Sequence, residues 1–423
     1  MHSAAFRRIF AADVVSTFGS LMSRLAIPWL AVLMLDAGPR AMALLAVADV
    51  AAGALAALVL GVLVDRVPKR GAMIACDLLR AAALLAIPLL AWLGHLSIGV
   101  LIAVVAFNGA LTVAFELAQS AWIAKHTESA DLAGRNSALA AGSAVTEAAS
   151  FGIAGWIYQL AGASLAIVTD ALTYVASALL LARVDETPPP PKQTTAGHTV
   201  RGELRAFADE VRDGLRTVVA DPTLRALALV AALTAFGSSF AATTYMIYVA
   251  RDVGFSTGAL GMIFALGGFG SLAGAWLVAR LSRRVPAHRL LIAGLFVWAL
   301  GSAAAPLAAS ATLAGALLLC AQQLIGDAGG IAVQITDRTL RQSHTPDTHL
   351  ARVDASIRTV SHGFMLAGAL LSGTLAEVFG ARPLLFTSSA LIGVAGVVAL
   401  FSLRAGGENR QPENATRPER RTT

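Results

Sequence analysis

The sequence predicts an all-α membrane protein, with twelve transmembrane helices in two pseudo-symmetric six-helix bundles. Three observations carry this. Of 423 residues, 57% are hydrophobic and 14% charged, and the mean hydropathy is +0.70; a soluble domain carries about 25% charged residues. Apolar runs long enough to cross a bilayer as a helix recur twelve times. The two halves of the chain also repeat one another at a fixed offset.

The spans lie near 10–35, 41–64, 73–94, 97–121, 137–160 and 163–182, then 224–250, 257–279, 289–309, 312–335, 354–378 and 383–403. With the N-terminus in the cytoplasm, all 32 Lys and Arg fall on that side except Arg24, Arg40, Arg251 and Arg382. The positive-inside rule therefore sets the orientation, and an even number of spans returns the C-terminus to the same side. This topology also accounts for the high pI of 9.9 without nucleic acid. Arg7-Arg8 leads into a span too long for the apolar core of a cleavable signal peptide. Cys76 and Cys320 are far apart in apolar runs, which indicates neither a disulfide framework nor a metal site.

Residues 1–182 are expected to form the first bundle and 224–403 the second, joined by a polar cytoplasmic linker, 183–223; residues 404–423 are read as a polar, disordered cytoplasmic tail. In the linker, Leu204, Phe207, Val211, Leu215 and Val218 recur at helical spacing and predict an amphipathic helix. It reads first as a tether between the halves and second as a latch. The repeat is visible where Ala154-Gly155…Gly162-Ala163 parallels Ser372-Gly373…Gly380-Ala381, 218 positions later. Parallel repeats of this kind place a substrate site between the halves near the midplane.

Between the second and third spans lies Gly61-Val-Leu-Val-Asp65-Arg66-Val-Pro-Lys69-Arg70. It resembles the signature loop of the major facilitator superfamily of secondary transporters, with Pro68 where many members carry Gly. Thr339-Leu-Arg341-Gln342…Leu350-Ala-Arg352-Val353 and Asp170-Ala-Leu-Thr-Tyr174 are similar to the drug:proton antiporter branch that includes bacterial macrolide and enterobactin exporters. The resemblance implies proton-driven export of an amphiphilic small molecule from a bacterial cytoplasm by a protein of the inner membrane, expected to act as a monomer without a cofactor. It also turns spans 1, 4, 7 and 10 toward a central cavity, and spans 2, 5, 8 and 11 toward the other half. Span 4 carries Glu116 where related exporters carry Arg, so their proton relay does not transfer.

Charges inside the spans are the candidate coupling residues, because a charge at a helix centre costs about 2.5–3.5 kcal/mol on insertion scales. Glu147 in span 5 is the first candidate for the proton, with Arg24 in span 1 tuning it and Asp327 and Asp49 as further sites. The competing reading makes Arg24 a fixed partner of Glu147 or Asp170. Asp170 itself reads as a packing or hydrogen-bonding residue, Asp13 and Glu116 as solvated or gate groups, and His362 as packing. Gly61, Asp65, Arg66, Lys69 and Arg70 form the candidate cytoplasmic gate, with Asp65 expected to face the start of span 11 and the bases to bridge to acids of neighbouring loops. Trp29, Phe107, Phe115, Phe236, Phe240, Tyr245 and Tyr248 are candidate cavity aromatics, each weighed against simple core packing.

Gly268-Phe-Gly270-Ser-Leu-Ala-Gly274 lies inside a span without a preceding strand; it is a helix-contact stripe rather than a dinucleotide loop. No phosphate-binding Gly-x-x-x-x-Gly-Lys-Ser/Thr occurs, and no paired nucleophile and base supports an enzyme. The alternatives to an exporter are an uptake carrier or lipid flippase on the same fold and, in a different class, a non-transporting membrane sensor, which the short loops disfavour.

Overall fold

The computed structural model describes residues 4–126, 129–184 and 200–407, and these form helices joined by short turns, with no strand among them. The side chains of Gly61, Asp65, Arg66 and Glu147 lie outside the described ones, as does the tail beyond 407.

The first half consists of α1 (Ala4–Met34), α2 (Pro39–Arg66), α3 (Lys69–Trp92), α4 (Ile98–Lys125), α5 (129–161) and α6 (163–182). The linker helix is α7 (Val200–Ala220). The second half consists of α8 (Pro222–Val253), α9 (Thr257–Leu281), α10 (Ala287–Leu307), α11 (Leu313–His344), α12 (Asp347–Phe379) and α13 (Ala381–Gly407). By length and composition, 11 helices among the described residues are able to cross a membrane. Span 10 runs further than expected, to His344, and contains a π turn at Gln322–Gly326.

Backbone geometry confirms the repeat. α5 and α6 are separated only by Gly162, at φ 80° and ψ 171°, and α12 and α13 by Gly380, at φ 81° and ψ 172°. That region is open essentially to glycine alone, so the same break is built 218 positions apart. Asp36 is the single non-glycine residue at positive φ among those described, and its counterpart at that offset is Gly254, the left-handed C-cap of α8.

Only Val67 and Pro68 separate α2 from α3. The first basic residues of α3 reach backbone carbonyls. Lys69 Nζ donates to the Val64 carbonyl at 2.5 Å, and Arg70 donates through Nε to Leu181 O at 3.1 Å and through its guanidinium to Ala182 O. Arg8 likewise reaches Arg183 O. Cations at a helix C-terminus satisfy its last carbonyls and oppose its dipole, so Arg8 and Arg70 tie α1 and α3 to the end of α6, and Lys69 closes the end of α2.

The start of α1, the end of α13 and α7 share one face of the bundle. At the opposite, far face the halves are packed together, and one apolar core includes Trp29, Leu30 and Ala166 of the first half with Ile247, Val249 and Leu260 of the second. Toward the terminal face the cores separate, one around Met73, Ala118 and Trp122 and the other around Leu227, Leu291 and Ile392. Val218 of α7 belongs to the second of these, and Ser356 of α12 donates to Val211 O of α7 at 2.9 Å. The linker helix thus docks on the second half.

Candidate functional site

Five contacts close the far face. Arg251 of α8 binds Asp36 at 2.6 Å and the Val32 carbonyl at 2.8 Å, and Arg40 of α2 meets Glu377 of α12 at 2.8 Å. The Gly258 amide of α9 donates to Gln159 Oε1 at 2.7 Å, and Gly373 lets α12 pack on Pro39 and Ala43. These bring α2 to α12 and α5 to α9, the pairings expected for spans 2, 5, 8 and 11. Arg251→Ala removes two of the cross-half bonds, one of them solvent-exposed and together of order 1 kcal/mol. The variant is expected to open the far face several-fold more often, read as faster labelling of a cysteine placed at Phe255 by an impermeant thiol reagent.

Two carboxylates occupy related places well in from the far face, Asp49 ten residues past Pro39 and Asp327 fourteen past Leu313, roughly 15 and 21 Å at helical rise. Asp49 of α2 lies against Gly109 of α4, and Asp327 of α11 lies against Gly267 of α9. Asp49 and Gly267 are 218 positions apart, as are Gly109 and Asp327, so the halves place their acid at the same helix contact but on opposite helices. Arg24 of α1 is exposed and acts electrostatically on Asp49. Of its two expected partners, Asp170 is buried beside Arg80, Ser23 and Thr173, and the Glu147 side chain lies outside those described.

Asp327 opens onto a cavity of about 620 Å³ lined by Thr234, Ser238, Phe264, Ser271, Gln323 and Asp337, among others. Tyr245 donates to Gln322 Oε1 at 3.0 Å, its ring lies 5.7 Å from that of Phe264, and it interacts electrostatically with Asp327. The π turn immediately before Asp327 widens the helix there, as such turns do at functional sites. At the terminal end of the cavity Asp337 pairs with Arg341, which also holds Asp354 of α12 at 3.0 Å.

Residues 9–363 match the Major Facilitator Superfamily. The chain belongs to this superfamily. Among solved structures it is similar to a bacterial homologue of the iron transporter ferroportin in an inward-facing state, at 16% identity and TM-score 0.75, covering 95% of this chain and 99% of that one. A bacterial homologue of the human lysosomal transporter Spinster, inward-facing and unoccupied, is similar at 16% identity and TM-score 0.71, with coverage of 97% and 100%. The nucleoside transporter NupG is similar at 12% identity and TM-score 0.72, with coverage of 97% and 100%. No curated protein matches the sequence. The family makes this protein a secondary transporter of a small molecule and not an enzyme, while neighbours at this identity share the fold alone.

Within the superfamily fold the candidate aromatics separate into two groups. Tyr245 lies beside Gln322 and Asp327, Phe236 lies tilted against Phe240 and edge-on to Phe364, and Phe107 is exposed on α4. Four others are buried and do not line the cavity in this state. Trp29 is packed edge-on to Tyr158 with centroids 5.0 Å apart, and Phe240 is in a core with Ala376 and Leu384. Tyr248 donates to the carbonyls of Pro306 and Ala308, and Phe115 covers an arginine inside the first half.

That arginine is Arg80, and the sequence reading passed over it. Counted there among the basic residues of the terminal face, Arg80 lies eleven residues into α3, 3% exposed and paired with Asp77, which is 0% exposed. Its guanidinium sits 4.8 Å from the Phe115 ring centroid and 4.3 Å from that of Tyr174. Nη1 donates to Thr112 Oγ1 at 3.4 Å. The signal available was Asp77-x-x-Arg80 itself, an i, i+3 pair set in an apolar run.

Proposed function

We propose that this protein is a proton-coupled exporter of hydrophobic or amphiphilic small molecules, such as drugs, antibiotics or siderophores, from the drug:proton antiporter branch. The observation that carries the reading is the matched pair of midplane carboxylates, Asp49 and Asp327, one on each side of the space between the halves. Intramembrane acids are expensive unless they bind ions or protons on a pathway. The cavity beside Asp327 mixes hydroxyls, amides and the apolar surfaces of Phe264, Trp298 and Met365, which suits an amphiphile. In this reading the terminal face is cytoplasmic, the membrane is the bacterial inner membrane, and the sealed far face corresponds to an inward-facing state.

Glu147 is assigned the principal coupling proton, with Arg24, Asp49 and Asp327 sharing the pathway. Gly61, Asp65, Arg66, Lys69 and Arg70 form the cytoplasmic gate, which engages the start of α12 when the protein opens outward. The test uses purified protein in proteoliposomes loaded with ethidium as probe and exposed to an imposed pH gradient. Wild-type efflux is expected to rise several-fold with the gradient. Glu147→Gln is expected to keep probe binding while losing that dependence, and Asp65→Asn to slow transport at every pH. Wild-type flux that ignores the gradient would sink proton coupling; Glu147→Gln with wild-type pH dependence would move the proton to Asp49 or Asp327.

A further inference from the structure

Inside the first half, away from the cavity, α1, α3, α4 and α6 enclose a cluster of charge. Asp77 and Asp170, 0% and 1% exposed, flank the single buried guanidinium of Arg80. Arg80 acts electrostatically on both, and the two carboxylates repel each other. Ser177 faces Asp77 and Ser23 faces Asp170, yet Oδ2 of each carboxylate lacks a hydrogen bond, as does Arg80 Nε. Tyr174, whose hydroxyl is 2.8 Å from Ser20 Oγ, closes the cluster toward α1. Gly19 of α1 makes the approach feasible, because a side chain there would collide with Thr173 and Asp170.

The other ionisable groups facing the cluster deepen the imbalance. Asp13 of α1 accepts a hydrogen bond from Gln119 at 2.8 Å and feels Arg80. Cys76 of α3 feels both members of the Asp77–Arg80 pair. Glu116 of α4 is exposed and is influenced by Arg80 and by Arg358 of α12. Four carboxylates therefore share Arg80, and the charge from the other half that reaches the group is Arg358. Two buried carboxylates beside one guanidinium do not both stay ionised at low cost.

The repeat shows that packing does not require these charges. At the 218-residue offset, Asp77 corresponds to Leu295, Arg80 to Trp298, Asp170 to Ser388, Tyr174 to Ile392 and Ser177 to Ala395. Leu295, Ile392 and Ala395 are buried in the apolar core of the second half. Gly237, the counterpart of Gly19, packs on Leu391 and Ser388, the counterparts of Thr173 and Asp170. The same helix crossing is thus built once with charge and once without.

We infer that Asp77 and Asp170 hold one exchangeable proton between them beside Arg80, a proton-binding site in the first half separate from the cavity carboxylates. With a guanidinium already at its centre, the cluster has no place for a metal cation. The proton belongs to the pair rather than to either residue. Its use in coupling rests on the proton-driven reading above, whereas its presence does not. Arg358 links it to the second half: as the halves rock, the field at Glu116 and the cluster changes.

Infrared spectroscopy of the purified protein in lipid nanodiscs reads the proton directly, as the C=O stretch of a protonated carboxyl at neutral pH. Asp77→Asn and Asp170→Asn are each expected to abolish one such band, since the remaining carboxylate then pairs with Arg80 and needs no proton. Unchanged bands in either folded variant would overturn the assignment. Should neither variant fold, carbon-13 aspartate labelling of protein carrying Asp13→Asn, Asp49→Asn and Asp327→Asn supplies the same test. A shifted protonated-carboxyl band supports the site, and its absence overturns it. In the ethidium assay, a lost infrared band with unaltered pH dependence would leave the proton site standing and remove its coupling role.

Discussion

Arg80→Met is expected to destabilise the protein by about 3–5 kcal/mol, the usual cost of removing one partner from a buried ion pair. The substitution keeps the length and volume of the side chain between the Phe115 and Tyr174 rings, so the loss is electrostatic rather than a cavity. It strands Asp77 and Asp170, both buried among α1, α4 and α6. The measurement is unfolding in detergent, by heat or denaturant, with size-exclusion chromatography as a check on assembly. The informative companion is the triple variant Asp77→Leu, Arg80→Met, Asp170→Ser, which approximates the arrangement at Leu295 and Ser388. Well-packed apolar replacements for buried ionic groups are often neutral or stabilising, so the triple variant is expected to recover most of what Arg80→Met loses. If it is as unstable as Arg80→Met alone, the charges are structural glue, and the comparison between the halves has been misread.

The same comparison explains which parts of this protein are legible in its sequence. Span positions follow from the length and polarity of runs such as 73–94, because the bilayer imposes a minimum on both. The repeat is legible from Gly162 and Gly380, which carry a backbone conformation that other residues avoid. Asp49 and Asp327 stand out as acids in apolar segments. Their correspondence does not, because the carboxylate moves from α2 in one half to α11 in the other, and residue identity is lost at both positions. Arg80 is hidden for a related reason. A base eleven residues from the terminal face still looks like part of the positive-inside border, and only the convergence of Phe115, Tyr174 and Asp170 from two other helices reveals it as buried. The electrostatic influence of Arg24 on Asp49 is likewise a matter of which helix faces meet, which span order does not determine.

Gly270→Val is expected to disrupt the second half, with a loss of at least 1–3 kcal/mol from overpacking and little folded protein recovered from the membrane. On the small-residue stripe of α9, Gly270 and Gly274 meet the backbone of α11, and Gly267 meets its Gln323 and Asp327 side chains. A methyl built on Gly270 would sit 2.6 Å from the Leu324 carbonyl oxygen and 2.7 Å from that of Gln323. Neither oxygen belongs to a flexible side chain, so the two helices would have to move apart. Close backbone approach through small residues is the main source of helix association in lipid, where burial of apolar surface contributes little. Separation here also displaces the π turn Gln322–Gly326 and the seat of Asp327 against Gly267. Gly270→Ala, which adds only the methyl, should show a smaller shift in melting temperature and a partial loss of ethidium efflux. Gly363→Ala is the control: its added methyl meets nothing within 4 Å, and alanine is favoured over glycine in a helix by about 0.8–1.0 kcal/mol. Equal behaviour of Gly270→Val and Gly363→Ala would show that α9 and α11 are not held by backbone contact. Loss confined to Gly270 would tie the position of Asp327, and so the geometry of the cavity, to the close approach of α9 and α11 at that glycine.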